Sequence, residues 1–197
     1  CTSNLAAVAV IPSEHYNTVV YDGNGTDGAS GQTVTGVGFQ PDFTWLKNRE
    51  DAGPGHILTD IVRGAGQSLH CNNTAAENTD SSAGHLSAWN SDGFVLYGGT
   101  RVNQNNEGHV SWNWKAAGSG SANTVGSINS TVSVNTDAGF SIVKWTGDTG
   151  IDTIGHGLSK APELLLIKNT DSGTSNWIFW SKDLDTNKNL FLNNANG

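Results

Sequence analysis

Gly36-Val37-Gly38-Phe39-Gln40-Pro41-Asp42-Phe43-Thr44-Trp45-Leu46-Lys47-Asn48 returns later in the chain as Gly157-Leu158-Ser159-Lys160-Ala161-Pro162-Glu163-Leu164-Leu165-Leu166-Ile167-Lys168-Asn169. The offset is 121 residues, from Pro41 to Pro162 and from Lys47 to Lys168. It still holds at Leu69-His70-Cys71-Asn72-Asn73 against Leu190-Phe191-Leu192-Asn193-Asn194. An internal repeat names the building unit of a fold before any single motif does. In each copy a turn feeds a strand. Pro presets φ and Asp favours the local bend in Gln40-Pro41-Asp42. Phe43 to Lys47 then suits a pleated, half-buried surface.

Outward from this block, short apolar runs alternate with turn residues. Thr18 to Tyr21, Thr33 to Thr35, Ile57 to Val62 and Phe94 to Tyr97 read as strands, and Ser91-Asp92-Gly93 as a turn. His109-Val110-Ser111-Trp112-Asn113-Trp114-Lys115 alternates strictly. Val110, Trp112 and Trp114 share one face, and two Trp there are expected to close a hydrophobic core. No segment sustains a 3.6-residue period. These signs predict an all-β chain of tandem β-sandwich, jelly-roll-like units. The expected layout is 1–14 as a linker or the tail of an upstream domain, 15–118 as the first repeat, 119–134 as a linker and 135–197 as the second repeat. Residue 197 corresponds to residue 76 of the first repeat, so the 42 positions 77–118 have no counterpart. The second repeat is therefore expected to be incomplete. Trp45, Trp112, Trp114 and Trp145 are the expected core aromatics.

Composition narrows the function classes. The chain is 36% hydrophobic and 14% charged, with 25 Gly, 7 Trp and no Met. A net charge of −8 with no Lys/Arg cluster argues against a nucleic-acid partner. No apolar run reaches the length of a membrane-spanning helix. Leu5 to Ile11 is apolar but has no basic residues before it, so it is not read as a signal segment. Cys1 and Cys71 are too few for a disulfide framework. Cys71 matches Leu192, which marks it as a small buried apolar residue.

The candidate chemistry is sparse. Gly23-Asn24-Gly25-Thr26-Asp27-Gly28 matches a dinucleotide fingerprint, but Gly31 and Thr33-Val34-Thr35 disfavour the helix that must follow. Asp22, Asn24 and Thr26 resemble the opening of a calcium loop that then lacks its Gly and Glu. Asx-turns are the alternative there, and at Asp148 and Asp152. The six His lack ligand spacing, so no metal and no cofactor is expected. Glu50, Asp51 and Asp60 are matched by Asp171, Ser172 and Ser181, so no carboxylate set is kept between repeats. Trp89, Trp177 and Trp180 are candidates for stacking a sugar. Asn24, Asn72 and Asn129 each head a glycosylation sequon.

Several motifs stand in order: Gly36 to Asn48, Asp60-Ile61-Val62-Arg63-Gly64-Ala65-Gly66, Asn90-Ser91-Asp92-Gly93-Phe94, then Trp112-Asn113-Trp114. Gly139-Phe140-Ser141-Ile142-Val143 and Gly155-His156-Gly157-Leu158 follow as the next copy. Together they resemble a repeated β-rich domain of unknown function found in structural and tail-fibre-type proteins of marine tailed bacteriophages. In such proteins a segment like Cys1-Thr2-Ser3-Asn4-Leu5 often follows a SPRY-type β-sandwich, so the resemblance implies that Cys1 lies at the end of an upstream domain. Here Ala6, Ala7 and Ala9 stand where that pattern often has Pro.

The resemblance implies a non-enzymatic structural or host-recognition module of a phage virion appendage, extracellular on the virion. Its expected partners are other copies of itself, other virion proteins and a host-surface glycan, with no nucleic acid and no membrane insertion. A secreted, lectin-like carbohydrate-binding module is the alternative, and a polysaccharide depolymerase stands third.

Overall fold

The computed structural model describes residues 10–27, 31–78, 84–185 and 187–194. Among these the regular structure is all β, apart from a 3-10 turn at Pro12–Glu14. Every paired strand is antiparallel, and four sheets form. In the first repeat, β1 (Tyr16–Asp22), β3 (Phe43–Asn48), β4 (Ile57–Asp60) and β7 (Gly108–Trp114) form a sheet in the order β1-β7-β3-β4. A second sheet runs β2-β6-β5, from β2 (Gln32–Thr35), β5 (His85–Asn90) and β6 (Gly93–Tyr97).

The two sheets share one buried cluster. Leu46 and Ile57 come from the four-stranded sheet. Val34, Leu86, Phe94 and Leu96 come from the three-stranded one. Loop residues Val37, Phe39 and Val102 complete it, with Val19, Tyr21 and Trp89 packed at its edge. The β5–β6 hairpin is closed at Gly93, where an added Cβ would meet the Val34 carbonyl oxygen at 2.0 Å. Only a residue without a side chain fits that approach.

The strand expected at His109–Lys115 is present as β7, but its faces are reversed from expectation. His109, Ser111 and Asn113 are fully buried, while Val110, Trp112 and Trp114 are half-buried on the outer face. The polar row is tolerated because each side chain makes at least one hydrogen bond, although His109 Nε2 and Asn113 Oδ1 are buried without a partner. Ser111 Oγ donates to the Val19 carbonyl at 3.4 Å, and Asn113 Nδ2 donates to the Asn17 carbonyl at 3.2 Å. His109 stacks on Tyr21 with ring centroids 5.2 Å apart and donates from Nδ1 to the Glu107 carbonyl. A buried polar group costs little once hydrogen-bonded, so alternation alone does not tell inside from outside.

The stretch 119–134, expected as a linker, carries strands. β8 (Ser121–Asn123) and β9 (Ser130–Asn135) pair in the order β10-β9-β8 with β10 (Phe140–Trp145). Small Ser, Thr and Asn residues hid the alternation, yet Ser133 is fully buried.

The last sheet joins β11 (Leu164–Ile167), β12 (Ile178–Ser181) and β13 (Leu190–Phe191). It repeats the β3–β4 arrangement pair by pair. Phe43↔Asp60 and Leu46↔Ile57 in one copy correspond to Leu164↔Ser181 and Ile167↔Ile178 in the other. The Leu58↔Leu69 bridge likewise corresponds to the Phe179↔Leu190 pair.

Candidate functional site: an aromatic seam between the repeats

The outer face of the four-stranded sheet is built by cross-strand neighbours. Register puts Tyr16, Trp114 and Phe43 in one row, and Thr18, Trp112, Trp45 and Leu58 in the next. Side chains opposite one another on one face are the unit of sheet stabilisation, and aromatic pairs add to it. Ring centroids lie 4.9 Å apart for Tyr16 and Trp114, 5.3 Å for Phe43 and Trp114, and 6.1 Å for Trp45 and Trp112. Trp45 Nε1 donates to His56 Nδ1 at 2.8 Å, so that nitrogen of His56 carries no proton. Burial, with a smaller contribution from Lys47, lowers the His56 pKa.

The second repeat covers part of this face at two places. Phe140 of β10 stacks on Trp114 at 6.2 Å and meets Phe43 edge-on at 6.0 Å. Trp177 enters a socket made by Leu58, Leu69 and Cys71, flanked by Phe43 and Trp45. It is 4% exposed there. Its Nε1 donates to the His70 carbonyl at 2.8 Å. The same burial pushes the Cys71 thiol up to about 11. His70 is lowered by burial and, secondarily, by Arg101, whose guanidinium lies 3.5 Å from its Nε2.

A polar edge flanks the socket. Lys168 Nζ donates to the carbonyls of Thr74, Asn169, Ser172 and Ser175, and desolvation lowers its pKa. Glu77 N donates to the Thr170 carbonyl at 2.7 Å, and Thr74 Oγ1 to the Gly173 carbonyl at 2.9 Å. Arg63 ties the first-repeat side together, bonding Asp60, Glu77 and the Leu58 carbonyl from a nearly buried position. Glu77 thus links this buried ion pair to the second repeat.

The lysine belongs to a turn kept in both repeats. Lys47 Nζ donates to the Asn48 and Asp51 carbonyls, and Asn48 Oδ1 accepts from the amides of Glu50 and Asp51. Lys168 treats the Asn169 and Ser172 carbonyls the same way, and Asn169 Oδ1 accepts from Asp171 and Ser172.

Against these facts the candidate tryptophans separate. Trp177, a candidate for sugar stacking, is sealed in the seam, so its faces are closed to a sugar. Trp89 packs against the buried cluster of the first repeat, and its Nε1 is buried without a partner. Trp180 lies half-buried on β12 opposite Leu165. Trp112 and Trp114, expected in the core, lie half-buried on the outer face instead, whereas Trp45, on the same face, packs against the cluster of Leu58, Leu69, Cys71 and Trp177. Trp145, also expected in the core, ends β10 and is 36% exposed.

One family model spans residues 11–197, and so covers both repeats. The chain belongs to the DUF7483 family, a domain of unknown function. No curated protein and no solved structure matches it.

The remaining motifs of this DUF7483 chain resolve locally. Gly25 has φ of +64°, residues 23–27 are irregular and Gln32–Thr35 is strand β2, so among the described residues no helix follows the motif. Gly28 lies outside the described residues. Asn24 Oδ1 accepts from Thr26 N at 2.8 Å and Asp148 Oδ1 from Gly150 N at 2.6 Å, which makes both Asx-turns. Among the described residues, no group of three or more His, Cys, Asp or Glu is placed to hold a metal ion. No helix of the described residues is long and apolar enough to cross a membrane. A cleft of about 420 Å³ between the β8–β9 loop and residues 153–158 offers one titratable side chain, His156.

Sequence reasoning missed Phe140 and the role of Trp177. The signal was in the repeat alignment: Trp177 corresponds to His56. A position that changes from polar to large and apolar between copies marks what one copy does to the other.

Proposed function

We propose that this chain is a non-enzymatic structural module, made of two sandwich-like repeats stacked through an aromatic seam. The tandem arrangement is jelly-roll-like, and its setting is a phage virion appendage such as a tail fibre, outside the cell. The observation that carries the scaffold reading is Trp177, which crosses from one repeat into a socket of the other. A repeat array gains its stability from such neighbour contacts. The virion setting comes from the resemblance of the repeated motifs to tail-fibre-type proteins. The lectin alternative keeps only half-buried Trp89 and Trp180 as stacking residues.

The test is direct. Antibody against the chain should label an appendage of purified virions of the encoding phage. Its absence from the proteome of those virions overturns the setting. Incubation with host capsule or lipopolysaccharide should release no reducing ends, and release of them would make the chain a depolymerase.

A further inference from the structure

The socket that Trp177 fills has a twin. Shifting by 121 residues turns Phe43, Trp45, Leu58, Leu69 and Cys71 into Leu164, Leu166, Phe179, Leu190 and Leu192. Every position stays apolar. The backbone beneath corresponds, because the β11–β12 register repeats β3–β4 pair by pair and Phe179↔Leu190 repeats the Leu58↔Leu69 bridge. The acceptor is repeated too, with the Phe191 carbonyl standing where the His70 carbonyl takes the indole N–H.

What differs is the cover. Leu69 and Cys71 are each 4% exposed, whereas Leu190 and Leu192 are 43% and 36% exposed. Leu164 and Leu166 stand at 53% and 37%. A contiguous apolar patch of this kind on a folded surface marks an interaction site.

We infer that this second socket receives a tryptophan from a further repeat unit of the same kind, stacked head to tail on the second repeat as the second is stacked on the first. The occupant follows from what is already seated on the twin site. A second copy of this chain cannot supply it, for its Trp177 is sealed in its own socket. Its first repeat offers His56 at that position, already bonded to Trp45. The inference rests on repeat geometry and is independent of the virion setting. Head-to-tail contacts of this sort leave an open end and propagate, rather than closing a pair.

The test uses the full chain, extended after residue 197 by a second copy of residues 77–197. This places a new tryptophan 121 residues beyond Trp177, the spacing of the repeat. Leu166→Cys, in a Cys1→Ser background, reports on the socket. Its thiol should react freely in the unextended chain and at least about tenfold more slowly in the extended one. Replacing the added tryptophan with alanine should restore the fast rate. Equal rates in the two chains overturn the inference, and so does protection that survives loss of the added indole.

A second measurement needs no extension. At free indole concentrations that fill the first socket emptied by Trp177→Ala, the methyl signals of Leu190 and Leu192 in the unaltered chain should shift saturably. Static signals overturn the inference. A dimer of the unaltered chain that dissociates on Leu166→Glu does the same, by making a second copy the occupant.

Discussion

Replacing Trp177 by alanine removes a side chain that is 4% exposed and joins two repeats. A buried aromatic hides about 150–250 Å², which at about 25 cal/mol per Å² is about 4–6 kcal/mol. Partial collapse of the cavity lowers this, and buried Trp→Ala changes cost about 3–5 kcal/mol. The His70 carbonyl also loses its indole donor. Because the residue bridges the repeats, the loss falls first on their coupling. Cys71 is the natural reporter, since it lies in the same socket. Its thiol is raised by burial from 9.0 to about 11, which alone suppresses the thiolate roughly a hundredfold at pH 8. In a Cys1→Ser background, Trp177→Ala should therefore speed Cys71 labelling, with the thiolate gain bounded by about that factor because Leu58 and Leu69 still cover the thiol, and lower the urea midpoint. Hydrogen exchange should quicken in β11–β13 before it does in β3 and β7. If Cys71 labels at the wild-type rate and the midpoint stays put, the seam does not hold the repeats together and the scaffold argument fails.

Three further perturbations probe the interior. His56, His70, His85 and His109 are all lowered, chiefly by burial, so the folded chain refuses protons that the unfolded chain takes up below its ordinary value of 6.5. Stability should be level above about pH 7 and fall as the pH drops below about 6.5, with a flatter profile in His109→Gln; equal urea midpoints at pH 7.5 and 5.5 would refute this. Asn48→Ala should cost about 1–3 kcal/mol, because a 1% exposed side chain there bonds Glu50, Asp51, Thr100 and Glu107. Asn169→Ala, at the exposed twin turn, should cost clearly less in the same urea melts, and equal losses would remove burial as the cause. Gly93→Ala drives a Cβ into the Val34 carbonyl, whereas Gly64→Ala at φ +105° meets nothing within 4 Å. The first should lower the melting temperature more than the second, whose cost is conformational strain alone, of about 1 kcal/mol.

β1, β2, β3, β4, β6 and β7, and β11 as the copy of β3, were legible because β-branched and aromatic runs are bounded by Gly, Pro and Asp at turn positions, whereas β5 was not read as a strand. The common register was legible too, as a constant spacing between Pro41 and Pro162 and between Lys47 and Lys168. The inside and outside of β7 were not. Alternation assigns one face to water, but this sheet is packed on both faces. On one, His109, Ser111 and Asn113 each make a hydrogen bond, with His109 Nε2 and Asn113 Oδ1 left unpartnered; on the other, Trp112 and Trp114 meet neighbouring aromatics. Hydrophobicity then loses its power to orient a strand. The β8–β9 hairpin was invisible for a different reason. Ser, Thr and Asn serve a solvated turn and a small-residue strand equally well, and only pairing with β10 decides between them.

The comparison of the repeats sorts residues by what they serve. Lys47 and Asn48 are kept as Lys168 and Asn169, and they do the same internal work, closing one turn by the same hydrogen bonds. His56 is not kept, and its counterpart Trp177 works on the neighbouring repeat instead. Lys168 shows both behaviours in one side chain, holding its own turn while reaching across to the Thr74 carbonyl. Constancy between copies thus tracks the fold of a unit, and divergence tracks the contact between units. By that rule the leucines of the second repeat belong to the contact class. Leu164, Leu166 and Leu192 replace Phe43, Trp45 and Cys71 around an unchanged leucine (Leu69, Leu190) and Phe179, an apolar surface suited to a flat ring that needs shape and apolarity more than a specific partner.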